Sequence, residues 1–329
     1  MFYYLESPST DPHFNLALEQ HVFDNMDRKH HYCMLWQNDN AIIIGKHQNT
    51  VEEVNAAYVK EHGIHVVRRM SGGGAVYHDL GNLNFTFIVD ALEERIDFGA
   101  FCRPVILALG SMGITAELSG RNDMVIDGKK FSGNAQYRKK DRVLHHGTLL
   151  FDSNLETVSH ALQVSEDKIE SKGLKSVRSR ITNIRPYLPQ DLPLERFKSA
   201  LRDFLFQENK MQAYQLTDQD LEAANLLKER VYDRWEWNYG ASPSYKMHKA
   251  RRFEGCGKVE VYLDVSGGNI LDAKFHGDFF SSSDPALLAD QLNGLPMEES
   301  ALRAALSEIN ISHYIHGLNP DDFFSLLLQ

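Results

Sequence analysis

The chain has 329 residues, which is long enough for one large and one small domain, and its composition, 43% hydrophobic and 24% charged, is typical of a globular protein. Its formal net charge of −10 argues against general nucleic-acid binding, and it contains no apolar run of about eighteen residues that would predict a membrane span. Cys33, Cys102 and Cys256 lie far apart, which favours reduced thiols over disulfides or zinc. Because the N-terminus also lacks a signal-peptide pattern, we expect a cytoplasmic protein that binds neither nucleic acid nor membrane.

The first elements of the chain are predicted helices and a predicted hairpin. Asp11 is placed to cap a helix over residues 12–22, where apolar residues recur at helical spacing. Two short apolar runs, residues 32–36 and 41–45, flank four polar residues and predict a hairpin. Apolar spacing over residues 51–63 predicts a second helix that ends at a glycine.

Three consecutive glycines, residues 72–74, lie between the apolar runs 64–67 and 83–89. Without Cβ atoms, the backbone there can adopt positive φ and bring its N–H groups close to a ligand. Neither a Walker loop nor a dinucleotide fingerprint is present, because no Gly-Lys-Ser/Thr follows and Tyr77 replaces the third glycine of the fingerprint. A flexible hairpin tip and a ligand-binding loop both fit the glycines alone. The polar residues around them favour a ligand-binding loop: Arg68, Arg69, Ser71 and His78.

Beyond the glycines, the pattern predicts one helix, a group of strands and then further helices. The first helix covers residues 101–109 and ends at a glycine. Strands are predicted at residues 114–118, 124–126, 130–137 and 143–151. Helices are predicted at residues 154–162, 193–207 and 217–232. Because short polar turns join these strands, residues from several of them can line one pocket.

The last part of the chain predicts a separate small domain. An aromatic stretch, residues 235–239, is followed by turn residues, which indicates a boundary. Alternation predicts a strand at residues 259–265 with a partner at 272–280, followed by helices starting at residues 284, 298 and 321. We therefore expect one domain of residues 1–243 and a small α+β domain of residues 246–329.

Five sequence blocks occur in the order found in lipoate-protein ligases. The first is Arg-Arg-Met-Ser-Gly-Gly-Gly-Ala-Val-Tyr-His-Asp-Leu-Gly-Asn at residues 68–82, and the others span residues 120–123, 128–135, 145–150 and 175–183. The chain resembles this family, part of the biotin/lipoate ligase superfamily, to about residue 240 and more loosely beyond. The resemblance implies an α+β fold, with a large mixed-sheet catalytic domain flanked by helices and a small α+β C-terminal accessory domain.

The resemblance also implies a reaction. Lipoate salvage by this family uses ATP and Mg²⁺ to activate lipoate to lipoyl-AMP. The lipoyl group is then transferred to a lysine of apo lipoyl domains, those of 2-oxoacid dehydrogenase E2 subunits or of the glycine cleavage H protein. Attack of a carboxylate on the α-phosphate brings two anions together, so a fixed cation there is worth more than a general base. Lys130 matches the position of the family's active-site lysine and is the expected catalytic residue, whereas Lys129 should face the other way on a strand.

Other residues of the matching blocks are expected to bind lipoate or the adenylate. Arg69 should hold carboxyl or phosphate oxygens through its bidentate guanidinium. Asp123 is a candidate Mg²⁺ ligand, but a lone carboxylate is a weak metal signal and could simply begin a strand. The expected apolar lining of the acyl tunnel is Leu16, Trp36, Val76 and Phe131. The full set of expected binding residues is Trp36, Arg69, Ser71, Gly72, Gly73, Gly74, Val76, Tyr77, His78, Asn122, Asp123, Ser132, His146, Thr148, Arg178 and Arg180.

Three alternatives to an ATP-dependent ligase are open. Octanoyl or lipoyl transferases of the same fold take the acyl group from a protein without ATP, some through a cysteine. The intact lysine block, and matched blocks that contain no cysteine, favour the ligase over these transferases. Biotin-protein ligases share the adenylate chemistry, but their glycine loop differs in composition. A binding protein without turnover would need a degraded site, and the blocks show no such loss.

Residues 172–185 contain five Lys or Arg residues and no acidic residue. Because like charges repel, we expect a loop that is mobile in the free enzyme and becomes ordered when the adenylate forms, with its arginines on the phosphate. A permanently ordered surface loop is the alternative.

Overall fold

The computed structural model describes residues 1–90, 97–162, 180–239, 247–266 and 269–328. Its strands are β1 (Phe2–Glu6), β2 (His31–Trp36), β3 (Ala41–Ile44), β4 (His65–Arg68), β5 (Val76–His78), β6 (Asn82–Asp90), β7 (Glu117–Ser119), β8 (Asp123–Ile126), β9 (Lys129–Lys139), β10 (Arg142–Leu150), β11 (Gln212–Ala213), β12 (Met247–Phe253), β13 (Gly257–Ser266) and β14 (Asn269–Gly277). Its helices are α1 (Pro12–Asp24), α2 (Thr50–Glu53), α3 (Ala56–Glu61), α4 (Gly99–Ser111), α5 (Leu155–Ala161), α6 (Leu194–Asn209), α7 (Asp218–Leu227), α8 (Trp235–Asn238), α9 (Pro285–Asp290), α10 (Glu299–Ala305), α11 (Ile311–Tyr314) and α12 (Pro320–Leu328).

The largest element is an eight-stranded mixed sheet with the strand order β11-β1-β2-β6-β10-β9-β8-β7. One face packs against α4 and α6, where Phe85 and Phe131 of the sheet share a core with Cys102 and Phe197. The other face packs against α1, whose Leu18 shares a second core with Ile88 and other residues of that face. Both faces are therefore covered by helices, as the predicted α+β domain requires.

A small sheet with the order β4-β3-β5 lies over the α1 face of the large sheet. β3 is parallel to β4 and antiparallel to β5. Ile43 and Val67 face the core that contains α1, whereas Ile42 and Val66 pack on the opposite side with Ala161 of α5. Residues 69–75, which contain the three consecutive glycines and are called the glycine loop below, join β4 to β5. The glycine loop therefore lies at the edge of this small sheet.

Several predicted helix starts are confirmed by their caps. The Asp11 carboxylate accepts a hydrogen bond from the His13 N–H, and Pro12 is the first residue of α1. Asn154 caps α5 by accepting from Glu156 and Thr157, and Asp284 caps α9. These caps rely on side chains within three residues of the helix start, which is why the sequence could reveal them.

The predicted hairpin of residues 32–36 and 41–45 is wrong. β2 pairs with β1 and β6 in the large sheet, whereas β3 pairs with β4 and β5 in the small one. Between them, the buried Asn38 accepts from Asn15 Nδ2 at 2.9 Å, and the Asp39 N–H donates to the Thr10 carbonyl. These contacts hold the four polar residues, residues 37–40, as a connection between two sheets and not as a turn within one sheet.

Two other expectations needed correction. The helix predicted over residues 51–63 is two short helices, α2 and α3, because Val54 is extended and bridges to Leu162, and Asn55 caps the second helix. β12 was not predicted, since its residues 247–253 are mainly polar and basic, as edge strands often are.

The C-terminal part has its own antiparallel sheet, β12-β13-β14, and a separate core. Val261 and Phe275 of the sheet pack with Leu288 of α9 and Phe323 of α12. The expected domain boundary at residues 243–246 lies outside the described residues and stays a prediction. Across the described parts of the chain, no helix combines the length and apolar character needed to cross a membrane.

The expected mobile loop of residues 172–185 lies outside the described residues as far as residue 179. Its last cation, Arg185, is described and forms ion pairs with Asp152 and Asp191. The expectation that Arg185 is repelled by neighbouring cations without acidic partners is therefore wrong, because Asp152 and Asp191, which lie outside residues 172–185, pair with it.

Candidate active site

A row of residues crosses one face of the large sheet. Trp36 of β2 lies directly opposite Asn84 of β6, which lies opposite Thr148 of β10. The Gly133 N–H of β9 donates to Thr148 Oγ1 at 3.1 Å, and Gly133 pairs with Asp123 of β8. Because paired residues share a face, the row spans five adjacent strands, or roughly 19 Å at the usual strand spacing.

A cavity of about 100 Å³ lies between this row and the small sheet. It is partly open to solvent and combines apolar and polar walls. It is lined by Leu16, Trp36, Ile43, Arg69, Gly73, Gly74, Ala75, Val76, His78, Asn84, Asn122, Lys130, Gly133, Asn134, Ala135, His146, Gly147 and Thr148. The structure thus brings together residues from four of the five sequence blocks.

The wall around β2 is apolar. Leu16 of α1, Trp36 of β2 and Val76 of β5 line it, as expected for an acyl tunnel, together with Ile43 of β3. Phe131 was also expected there but lies in the core on the other face of the sheet, fully buried. This end of the cavity suits a hydrocarbon chain.

A buried polar network underlies the apolar wall. His146 Nδ1 lies 2.9 Å from Glu19 Oε1, and since a carboxylate only accepts, this nitrogen donates. His146 Nε2 lies 2.6 Å from Ser71 Oγ. Glu19 also accepts from Thr86 Oγ1, which in turn accepts from the Trp36 indole N–H at 2.9 Å. The network therefore fixes the ring of Trp36 and the imidazole of His146 at the cavity wall.

The guanidinium of Arg69 lies inside the glycine loop. Its Nε donates to Ser71 Oγ, Nη1 to the Ile43 carbonyl, and Nη2 to the carbonyls of Gly72 and Gly74. Burial lowers the pKa of Arg69 to about 10, so the group remains a cation at neutral pH. The pair of donors expected to hold a ligand's oxygens is thus engaged in shaping the loop, although Arg69 does line the cavity.

Two buried histidines, His78 on β5 of the small sheet and His145 on β10 of the large sheet, differ in their surroundings. Burial, with the nearby Arg69 and His146 adding to it, lowers the pKa of His78 to about 3, so its ring is neutral and stays next to Asn38. His145 lies on the face of the large sheet that packs against α4, stacked on Phe101, and burial lowers its pKa well below the usual range. Of these two, only His78 lines the cavity.

The opposite end of the cavity, on β8 and β9, carries a cation. Lys130 Nζ lies 2.8 Å from Asp123 Oδ1, and both side chains are about one-third exposed, at 36% and 32%. Lys129 is exposed and faces away, as expected for its neighbour on a strand. Asn122 also lines this end and donates through Nδ2 to the Asn134 carbonyl at 2.6 Å.

The glycine loop contacts the C-terminal part of the chain. The Gly73 N–H donates to the Phe279 carbonyl at 3.1 Å, and any side chain on Gly72 would collide with that carbonyl oxygen. Gly73 itself has φ +90°, a conformation that favours glycine. The Gly73 N–H, which we expected to be available to a ligand, is therefore used in a hydrogen bond within the chain. A glycine is required at residue 72 because a side chain there would collide with Phe279.

Four other expected residues, Ser71, Tyr77, Ser132 and Arg180, do not line the cavity. Ser71 is one hydrogen bond behind His146, and Tyr77 donates to Asn40 Oδ1. Ser132 lies on the other face of β9, where it accepts from Asn134. Arg180 is half-buried, close in sequence to Thr182, whose N–H donates to the Lys130 carbonyl. Arg178 lies outside the described residues.

Sequence reasoning did not identify several residues of the site, notably Glu19, Asn84 and Gly133. Glu19 follows Leu16 by three residues and precedes Phe23 by four, so it is a carboxylate within the buried stripe of α1. Asn84 and Thr86 alternate with phenylalanines along β6, which also marked a polar stripe inside the fold. In both elements, a polar residue occupies a position at which the helix or strand periodicity predicts a buried apolar residue.

The site offers few ligands for a metal ion and no reactive thiol. In the parts of the chain that the structure describes, no group of three His, Cys, Asp or Glu side chains could hold a metal. Cys33, Cys102 and Cys256 are free and buried. Burial raises the pKa of Cys102 to about 12, so this thiol stays protonated and is a poor nucleophile.

The chain is similar to known proteins along its length. A family model described as the lipoyl protein ligase A/B catalytic domain matches residues 11–206, and one described as the bacterial lipoate protein ligase C-terminus matches residues 242–327. Lipoate-protein ligase LplJ of Bacillus subtilis is 44% identical over 321 residues, which are 96% of this chain and 97% of that relative.

Solved structures give the same picture. P. falciparum LipL1 in complex with lipoate superposes with a TM-score of 0.80, at 28% identity over 100% of both chains. A lipoate-protein ligase A bound with ATP gives 0.62, at 26% identity over 73% of this chain and 98% of the other. A bi-partite lipoate protein ligase from Thermoplasma acidophilum, described with its E2 lipoyl domain, gives 0.63, at 28% identity over 74% and 98%.

Proposed function

The chain belongs to the lipoate-protein ligase family, and from this premise we propose that it activates lipoate with ATP and transfers the lipoyl group to a lysine of apo lipoyl domains. One observation carries the proposal: a single cavity runs from an apolar wall at Trp36 to a cation, Lys130, on the same face of the sheet. Lipoate has the matching shape, with an apolar tail at one end and a carboxylate at the other.

In the first step, an oxygen of the lipoate carboxylate attacks the α-phosphorus of ATP, and the bond to pyrophosphate breaks. Lys130 is proposed to place its ammonium beside both anionic groups, where a preorganised charge lowers the barrier most. Asn122 and the glycine loop are proposed to contact the nucleotide, because they line the cavity next to Lys130. The apolar wall holds the tail, and the network behind it fixes the wall.

In the second step, the lysine amine of the acceptor attacks the carbonyl carbon of lipoyl-AMP, and AMP leaves with the electron pair of the broken C–O bond. The opening of the cavity to solvent leaves a path for that amine. A similar ligase is described together with its E2 lipoyl domain, which supports a lipoyl domain as acceptor. E2 subunits and the H protein are the proposed acceptors, and the free thiols of this chain support a cytoplasmic location.

Mg²⁺ enters the proposal as part of the MgATP substrate. This ion is commonly held by one or two carboxylates together with substrate phosphates and water. Asp123 fits that pattern as a protein ligand, since its Oδ1 contacts Lys130 and a carboxylate has a second oxygen that can accept a metal ion. Arg178 and Arg180 are proposed phosphate contacts, on the strength of the sequence block alone.

The rival function is an ATP-independent lipoyl or octanoyl transferase. Lipoate-dependent exchange of labelled pyrophosphate into ATP separates the two, because exchange requires a reversible adenylate. We expect exchange that depends on lipoate, with a reaction lacking lipoate as the control. Absence of exchange, together with acyl transfer from a lipoylated protein without ATP, would establish the transferase instead.

A further inference from the structure

A β-bulge changes the direction of Lys130. On β8 and β9, Met124 pairs with Ser132 and Val125 pairs with Lys130, so Phe131 is an extra residue between two pairs. Neighbours on β8 alternate in direction, and paired residues share a face. Ser132 and Lys130 therefore face opposite sides of the sheet although they are two residues apart. The bulge moves Lys130 onto the cavity face that it would otherwise not reach.

Gly133 leaves room for the lysine ammonium on that face. A Cβ built on Gly133 would lie 3.1 Å from Lys130 Nζ and 3.2 Å from Cε, and apart from its chain neighbours no other residue has an atom within 4 Å of it. Gly133 does not have positive φ, so its backbone does not require glycine. A glycine in the middle of a strand weakens the strand, and it often marks a position that another group approaches closely. Here the group that approaches is the side chain of Lys130.

Besides the bulge and Gly133, the carboxylate of Asp123 contacts the Lys130 ammonium. It pairs with Gly133 across β8 and β9, and its Oδ1 lies 2.8 Å from Lys130 Nζ. Ion pairs with this degree of exposure add little to stability, so the contact orients the lysine more than it stabilises the fold. Bulge, glycine and carboxylate thus converge on one ammonium group.

We propose that the bulge at Phe131, the bare surface of Gly133 and the carboxylate of Asp123 form a seat that positions the Lys130 ammonium over the cavity. This inference rests on the proposed function only for the role of Lys130 in adenylation. Gly133 is a positioning residue, because it acts through Lys130, and Asp123 positions Lys130 in addition to its proposed contact with Mg²⁺. The seat explains why a strand of this sheet has a glycine where no turn or core contact requires one.

The kinetic test is Gly133→Ala, with Gly110→Ala of α4 as the matched control. An alanine at Gly110 meets no atom within 4 Å, and neither glycine has positive φ. We expect Gly133→Ala to lower kcat for pyrophosphate exchange roughly several-fold, because a Cβ at 3.1 Å from Lys130 Nζ displaces the ammonium by less than the roughly 1 Å that can cost about a hundredfold. KM for lipoate and the thermal midpoint should stay close to wild type, as in Gly110→Ala.

Substitutions of Asp123 separate orientation from charge. Asp123→Asn should lower kcat, and Asp123→Glu should restore part of it, because a longer carboxylate still reaches the ammonium. A loss of thermal midpoint in Gly133→Ala or Asp123→Asn that matches the loss of kcat would overturn the seat, since a merely structural role predicts that pattern.

The chemical reactivity of Lys130, measured without substrates, tests the seat independently of the adenylation reaction. Acylation of Lys130 and Lys129 by an amine-reactive N-hydroxysuccinimide ester can be followed by peptide mass spectrometry. We expect Gly133→Ala and Asp123→Asn to raise the rate at Lys130 several-fold and to leave Lys129 unchanged. If wild type lacks exchange but Lys130 reactivity responds in this way, the proposed function fails and the seat stands. If exchange is present and neither kcat nor Lys130 reactivity changes, the seat is wrong.

Discussion

The two ends of the cavity are built on different physical principles. The network end, formed by Trp36, Glu19, Thr86, His146 and Ser71, is almost free of solvent contact, with Glu19 and Ser71 each 1% exposed. The lysine end, formed by Lys130, Asp123 and Gly133, has side chains that are about one-third exposed. A buried polar network is destabilised when one partner is removed, whereas partly exposed ion pairs can rearrange at little cost. The fold therefore fixes the shape of the acyl wall and leaves the proposed chemical group adjustable.

The largest expected effect is at the network end. Glu19→Ala leaves the His146 Nδ1–H and the Thr86 hydroxyl without their shared acceptor. Leaving a buried donor without its acceptor typically costs about 1–3 kcal/mol, so with two donors affected we expect a loss of roughly 2–6 kcal/mol in the free energy of unfolding, measured by urea denaturation. Asp123→Ala at the lysine end is the comparison and should cost less than about 1 kcal/mol. Equal losses from the two variants would contradict the difference between the ends.

Gly73→Val tests the loop that lies between the two ends. Its Cβ would lie 3.0 Å from the Phe280 ring and 3.1 Å from Arg69 Nη2, at a residue with φ +90°. Overpacking and strain of this kind cost about 1–3 kcal/mol. We expect calorimetry to show weaker binding of lipoate or MgATP, because the loop must shift.

Gly74→Ala is the steric control for that variant, since the nearest atom to its Cβ would be 3.8 Å away and its φ is not positive. It should be much less destabilising than Gly73→Val. Unchanged affinity for both ligands in a folded Gly73→Val protein would contradict a ligand-binding role for the loop.

A pH dependence should come from buried histidines, including His78 beside the network end. Burial lowers the pKa of His78 to about 3 and that of His276 to about 4 in the folded chain. Below pH 6.5 the unfolded chain therefore binds more protons, and the free energy of unfolding falls as the pH falls. We expect roughly 1–2 kcal/mol of this loss per histidine by pH 5. His78→Asn should flatten the curve between pH 6.5 and 4, and an unchanged slope would exclude this origin.

The smallest expected effect is that of Lys129→Ala. The side chain is exposed and points away from the cavity. Surface substitutions of this kind stay within about 0.5 kcal/mol in stability. Pyrophosphate exchange should remain close to wild type, and a large loss would mean that the wrong lysine has been assigned to the cavity.

Local patterns predicted much of the fold and part of the site. The caps at Asp11 and Asn154 depend on neighbours in sequence, and β8, β9 and β10 are joined by short turns. Residues on or next to these strands, such as Asn122, Lys130 and Thr148, were therefore expected together, and they do line one cavity. Their chemical roles stay predictions.

Long-range pairing could not be predicted in the same way. The row from Trp36 through Asn84 to Thr148 depends on the register of strands far apart in sequence. The same limit explains the wrong hairpin after β2, since nothing local shows that β3 enters another sheet. The donors of Arg69 look available in sequence, but the fold directs them to carbonyls of its own loop.

The most direct test of the division between the two ends is Lys130→Ala, in which lipoate affinity is measured by calorimetry and adenylation by pyrophosphate exchange. Loss of one preorganised charge contact in a transition state is typically worth about 2.7–4 kcal/mol, or two to three decades in kcat. We predict a loss of that size in exchange, with unchanged thermal stability and a lipoate Kd that changes far less, because the apolar wall and its network remain intact. Exchange near wild type, or lipoate affinity that falls as steeply as exchange, would contradict it.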